Sequence, residues 1–226
     1  MIRVYKHHEA PASLASCKSY GDEDVVRQLR ADQHGKCYLC ERFTVTDFQV
    51  EHHKSRARHP GLTFDWGNLF LSCSYCNGKK SDSFDGMVNP ADCDVEACIE
   101  QKLDFGNSKA EFRYVGKDPV TPGYEETISF LNRVFNGTNR LRTEREQQFY
   151  NYALRTVNTF QKLVSDWLLS PTESLEAAIR QSLGIDKELL GFKYWIVQST
   201  PALFNHFGDC IVWNKDSSQR FVTCRR

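Results

Sequence analysis

The sequence predicts an α+β protein, with a compact mixed unit near the N-terminus and an α-helical C-terminal region after it. Two observations set this division. Up to about residue 120, short apolar runs alternate with turn residues, and from Glu125 onward apolar residues recur with a 3.6-residue rhythm. A third observation locates the compact unit: two Cys-x-x-Cys pairs, Cys37/Cys40 and Cys73/Cys76, with 32 residues between them.

Taken in order, "MIRVYK" reads as a short strand, with Ile2 and Val4 on one face. "APASLASCKSYG" is loop-like. "DEDVVRQLRADQHG" places acidic residues first and Val25, Val26 and Leu29 at helical spacing, with Gly35 as the stop. Residues 1–35 are thus a strand and a helix leading into a unit at 36–86, made of short strands, turns and one short helix. Residues 87–124 form a connector with an edge hairpin, closed by Pro119 and Pro122-Gly123. The helical region, 125–226, begins with "EETISFLNRVFNG", where Ile128, Leu131, Val134 and Phe135 share a face. The long segment "LRTEREQQFYNYALRTVNTFQKLVSDWLL" follows, with Leu141, Phe149, Tyr152, Ala153, Val157, Phe160, Leu163, Val164 and Trp167 in phase. Thr172–Leu183 is a further helix. "LLGFKYWIVQSTPALFNHFG" is another, stopped by Pro201 and continued by a short one.

Composition excludes some classes. No run reaches the roughly 18 apolar residues of a membrane helix, and the N-terminus has no apolar leader region. The expectation is a cytoplasmic protein without a membrane partner. The 29 basic residues are balanced by 29 acidic ones, so any nucleic-acid binding must use a local patch or a partner's surface. Nine cysteines, an odd number, argue against a disulfide framework. Outside the two pairs, Cys17, Cys93, Cys98, Cys210 and Cys224 read as ordinary core thiols.

Four thiolates from two Cys-x-x-Cys turns close a tetrahedral structural zinc site. Such a site is full, so it cannot bind water, and any chemistry must come from other residues. The stretch between the pairs, "VEHHKSRARHP", holds Glu51, His52, His53 and His59, with Lys54, Arg56 and Arg58 among them. Lys79 and Lys80 follow the second pair. These cations cluster where phosphate contacts position a nucleic-acid backbone without reading sequence. Phosphodiester hydrolysis needs an activated water, a cation on the phosphate and help for the leaving oxygen. A neutral histidine suits the first. A carboxylate with an amide oxygen suits Mg²⁺ or Mn²⁺.

The pieces "CYLC", "VEHHKSRARHP", "WGNLFLSC" and "CNGKKSD", in this order over residues 36–82, resemble the HNH endonuclease family. The resemblance implies a ββα-metal fold, a hairpin against a helix, with a structural zinc and a catalytic Mg²⁺ or Mn²⁺. It implies that His52 is the general base and that Glu51 and Asn77 are ligands of the catalytic metal. Asn68 then ties the connecting loop by hydrogen bonds. Three positions depart from the family's usual pattern. Asn77 stands where His is most frequent, Ser55 where Pro is, and His53 where an apolar residue is. His53 is accordingly the alternative base, in an alignment that makes His52 the ligand and leaves Glu51 outside the ligand set.

The flanks "MIRVYK", "CYLCE", "FDWGNLFLSCSYCNGKKSD" and "TISFLNRVFNGTNRLRTERE" are similar to the HNH subunit of Septu-type anti-phage systems, the PtuB-like proteins, some of them retron-associated. That resemblance implies a nucleic-acid substrate, DNA rather than RNA, and an ABC-type ATPase partner. In retron-linked versions a reverse transcriptase with its DNA–RNA hybrid joins. The helical region, and "FKYWIVQSTPALFNHF" in particular, is then the expected partner surface. Two other functions compete: a zinc-knuckle module that binds nucleic acid or protein without cleaving, and a stand-alone restriction-type nuclease. A pure binder has no need of Glu51-His52 with Asn77. A stand-alone enzyme needs a sequence-reading element, and none is visible.

Overall fold

The computed structural model describes residues 1–213. The first helix, α1 (Glu23–Asp32), has Glu23 and Asp24 in its first turn, where the helix dipole favours negative charge. Its buried residues Val25 and Leu29 pack with Leu69 and Leu71. His34 (φ 53°) and Gly35 (φ 69°) turn the chain left-handed and end it. Strands β1 (Gln49–His52) and β2 (Leu69–Ser72) form an antiparallel pair with Glu51 opposite Phe70 and His52 opposite Leu69. Helix α2 (Ser74–Lys80) starts directly after β2, with Cys73 as its N-cap.

Next come α3 (Val95–Cys98) and a hairpin of β3 (Ile99–Asp104) and β4 (Lys109–Tyr114), in register from Ile99↔Tyr114 to Asp104↔Lys109. Helix α4 (Pro122–Asn136) lies against β4. The 26-residue α5 (Glu144–Leu169) opens on a capping box between Thr143 and Glu146. Then follow α6 (Glu173–Ser182), α7 (Leu190–Gln198) and α8 (Pro201–Phe207). The fold is therefore α+β, with small sheets in the N-terminal part and a helical region after it.

One apolar cluster joins Cys37, Cys40, Cys73 and Cys76 to Phe130 and Phe135 of α4, Phe149 of α5 and Phe192 of α7. Tyr75 of α2 stacks on Phe149 at 4.4 Å. The cysteine pairs and the helices thus share a core. A second cluster holds the far half of α5 against α6, α7 and α8 through Phe160, Ile179, Val197 and Phe207. Within "FKYWIVQSTPALFNHF", Phe192, Val197, Leu203 and Phe207 are buried in these cores, and Phe204 is exposed.

Several expectations are corrected. Met1–Lys6 forms no strand, because its backbone bonds to a loop and a side chain instead of a sheet edge. The segment is extended coil, tied by Val4 N–H to Pro90 O (2.8 Å) and Arg3 N–H to Glu96 Oε2 (2.8 Å). Leu141 precedes α5 and is exposed. Cys17 is exposed and is not a core thiol, whereas Cys93 and Cys210 are half-buried and pack against the first and second clusters. Cys98 is buried but is not a free thiol, and Cys224 lies outside the described residues.

Candidate active site

The four cysteines converge. Their sulfurs all lie within 4.8 Å of one another, with Cys40 Sγ 3.9 Å from Cys73 Sγ. Bonds of about 2.3 Å in a tetrahedron put sulfurs roughly 3.8 Å apart, so the cage fits a zinc-sized ion. All four side chains are buried. The cage sits at the base of the β1–β2 pair, where Cys73 both ends β2 and caps α2.

An open cleft of about 890 Å³ lies along β1. Glu51, His52, Arg56 and Asn77 line it together. Adjacent strand residues normally face apart, but β1 ends at His52, and both side chains reach the cleft at that end. His52 is largely buried, and Tyr20 packs its ring edge-on at 4.6 Å. Its Nε2 lies 2.9 Å from Thr63 O. A carbonyl oxygen only accepts, so Nε2 carries the proton and Nδ1 keeps its lone pair. Burial lowers the His52 pKa below the ordinary histidine value, while the Thr63 bond opposes the shift. The ring is therefore neutral near pH 7.

His53 goes elsewhere. It packs against Tyr38 and Phe70 in the core, and its Nε2 contacts Met87 O at 3.0 Å. Nδ1 is buried without a hydrogen-bond partner, and burial pushes the pKa down to about 4. His53 does not line the cleft among the described residues. His59 sits 3.7 Å from Asp85.

Asn68 organises the loop between the strands. Its Oδ1 accepts from Lys54 N (2.7 Å), and its Nδ2 donates to Lys54 O (3.0 Å) and Leu62 O (3.1 Å). His53 N–H donates to Asn68 O at 2.8 Å, prolonging the strand pairing by one bond. Ser55, at the position where Pro is usual, donates through N (2.8 Å) and Oγ (2.6 Å) to Asp85. Asp85 and Thr63 were not singled out in the sequence. A backbone acceptor has no sequence signature, and Asp85 lies in an acidic and serine-rich stretch where no spacing marks it.

The cations separate into three groups. Lys54 and Arg58 are exposed. Arg56 is exposed in the cleft, 5.0 Å over the Tyr20 ring. Lys79 turns away to pair with Glu146 of α5. Lys80, expected at a phosphate, is instead completely buried. Its ammonium sits 3.1 Å from Glu51 Oε1, 3.0 Å from His52 O and 4.0 Å from Asp85 Oδ1. It lies on the inner side of α2, next to the cysteine cage, which is where helix geometry puts a residue four after Cys76. Burial raises the Glu51 pKa, and the Lys80 charge opposes that rise.

Asn77 Nδ2 donates to Gln49 Oε1. This orientation leaves the amide oxygen as an acceptor, and Glu51 lines the same cleft. Two hard oxygen donors, with room for phosphate oxygens and water, fit a Mg²⁺-like ion. The arrangement is a neutral histidine with a free lone pair, a carboxylate and an amide oxygen in one open cleft, set over a separate cysteine cage.

Residues 37–83 match the family model described as HNH endonuclease. This segment is thus similar to HNH endonuclease domains, and a nuclease acting on nucleic acid is the class that the match supports. No curated protein and no solved structure matches the chain. No helix among the described residues is long and apolar enough to cross a membrane.

Proposed function

We propose that the protein is a metal-dependent endonuclease that hydrolyses phosphodiester bonds, with DNA as its substrate. The observation that carries this reading is the His52 tautomer. The bond to Thr63 O fixes the proton on Nε2 and presents Nδ1 as the base for water. Glu51 and Asn77 would hold the catalytic cation, Mg²⁺ or Mn²⁺, which would supply charge stabilisation at the phosphate and the leaving oxygen. Asn68 holds the loop after His52, and Lys80 holds the Glu51 carboxylate. Arg56 in the cleft meets a phosphate of the bound strand. The four cysteines hold zinc, which stabilises the unit and takes no part in the chemistry.

The test is cleavage of plasmid DNA by the full chain with added Mg²⁺ or Mn²⁺. His52→Ala is expected to retain folding and zinc and to lose on the order of 10²-fold or more in rate, the range of a lost general base. Cleavage by His52→Ala at the wild-type rate, with His53→Ala inactive, refutes the assignment. The finer reading is a nuclease effector of an anti-phage complex under an ABC-type ATPase, joined in retron-linked versions by a reverse transcriptase and its hybrid. It rests on the flank motifs. Its test is whether an ABC-type ATPase co-purifies with the full chain from its native cell and alters cleavage.

A further inference from the structure

A second groove, about 350 Å³, opens on the other exposed side of α2. Ser74, Gly78 and Lys79 of α2 line it, and Arg133 of α4 with Arg145 and Glu146 of α5 complete it. Three cationic groups face one carboxylate, and that carboxylate is committed. Glu146 accepts Thr143 N–H at 2.7 Å as half of the α5 capping box and pairs with Lys79. Among the described residues, neither arginine is committed to an ion pair. Arg133 Nε is buried without a hydrogen-bond partner, and its guanidinium lies 5.5 Å over the Phe84 ring. Arg145 is exposed and bonds only weakly, through Nη2 to Ser74 Oγ at 3.3 Å. Asp47 accepts Ser74 N–H at 3.3 Å and tempers the charge at the groove's edge.

Because Nε is sealed from solvent, a ligand in the groove would meet Arg133 through its terminal Nη groups. The position of the groove says which ligand. On a helix, successive residues step about 100° around the axis. Asn77 and Ser81 face the catalytic cleft, whereas Ser74 and Gly78 face the arginine groove. Cys76 and Lys80 take the buried side. The outer surface of α2 therefore has the cleft on its Asn77 side and the groove on its Ser74 and Gly78 side. Gly78, exposed at its middle, places no side chain in the way.

We propose that this groove binds the sugar–phosphate backbone of a nucleic acid whose scissile phosphate lies in the cleft, with Arg133 and Arg145 each holding a phosphate. The helical region then contributes directly to substrate binding. This rests on the nuclease reading for the position of the scissile phosphate. Planar guanidinium groups with free donors suit phosphate oxygens. No base-reading element is involved, so the contact is sequence-independent.

The test is fluorescence anisotropy with labelled DNA and RNA duplexes of one sequence, in the His52→Ala background to prevent cleavage, across a salt series. Replacing Arg133 and Arg145 by Gln is expected to weaken binding on the order of tenfold and to reduce the slope of log K against log salt by about 2. Because Arg133 is partly buried, Arg145→Gln alone is measured as well, with an expected slope change of about 1. Loss on DNA, on RNA or on both supports the groove and identifies the backbone it takes. An unchanged slope on both duplexes, in variants that melt as the parent does, overturns it. Cleavage is scored separately in the wild-type histidine background. Full cleavage with an unchanged slope refutes the groove alone. Arginine-dependent binding without any cleavage refutes the nuclease reading alone.

Discussion

Replacing Lys80 by methionine separates two roles that the sequence alone confuses. A phosphate-binding lysine is exposed, and losing it leaves the fold intact while reducing the salt dependence of binding by about one phosphate. The buried Lys80 holds Glu51 Oε1 at 3.1 Å and His52 O at 3.0 Å, with Asp85 at 4.0 Å. Removing it strands a carboxylate that is only 8% exposed. Breaking a buried pair from one side costs about 3–5 kcal/mol. At about 2–4 °C per kcal/mol for a chain of this size, the melting temperature should fall by roughly 6–20 °C. Scanning calorimetry and circular dichroism on the full chain measure this. Adding Glu51→Gln removes the stranded charge and should recover a large part of the loss. A Lys80→Met protein that melts within about 2 °C of wild type, outside that expected range, with a shallower salt slope on DNA, refutes the buried brace and restores the phosphate contact.

Other substitutions test the remaining assignments. Cys76→Ser should release metal and destabilise the N-terminal unit, since ligation of a structural ion contributes to folding; metal analysis finding no zinc in fresh wild-type protein contradicts the cage. His53→Phe should keep cleavage near wild type, because His53 sits between Tyr38 and Phe70 with Nδ1 unbonded; an inactive, folded variant counts against that. The acid limb of the cleavage pH profile should have its midpoint below the ordinary histidine value of about 6.5, because burial holds the His52 pKa down; a midpoint above that value rules out His52 as the titrating base. Glu96 is fully buried, and burial raises its pKa from 4.5 to about 7. Its contribution is present below pH 4.5 and is lost as pH rises through 7, a change on the order of 3 kcal/mol. Glu96→Gln should therefore raise the melting temperature at pH 8 and leave it unchanged at pH 4.5, which thermal scans at the two pH values decide.

The sequence was most legible where spacing carries geometry. Two Cys-x-x-Cys pairs can close one cage, and the sulfurs do converge. The 3.6-residue pattern located α4 to α8, with Pro201 starting α8 as a stop for α7 should. It was least legible where tertiary contacts decide. "MIRVYK" alternates like a strand, yet no sheet edge receives it. The lysines after Cys76 look alike on paper, but one helical step sends Lys80 inward to Glu51 and Lys79 outward to Glu146. Nor could local pattern reveal that the cysteine cage and helices α4, α5 and α7 close over one core. Contacts between residues so distant in sequence leave no periodicity behind.

Glu41 follows Cys40 directly, in a left-handed conformation (φ 61°), and is buried. Its carboxylate pairs with the Met1 ammonium at 2.7 Å and accepts Leu190 N–H at 2.7 Å and Gly191 N–H at 3.1 Å. Helix α7 has no side-chain cap of its own, so a residue 150 positions upstream supplies one. The turn that carries two of the four thiolates is thereby the same turn that seats α7. Such linkage is reciprocal: an ion held by the four thiolates would steady α7, and whatever clasps α7 would raise the affinity for that ion by the same free energy. The equilibrium affinity of the cage, read by competition with a chelator, would then work as a gauge of events at a helix that carries none of the four cysteines.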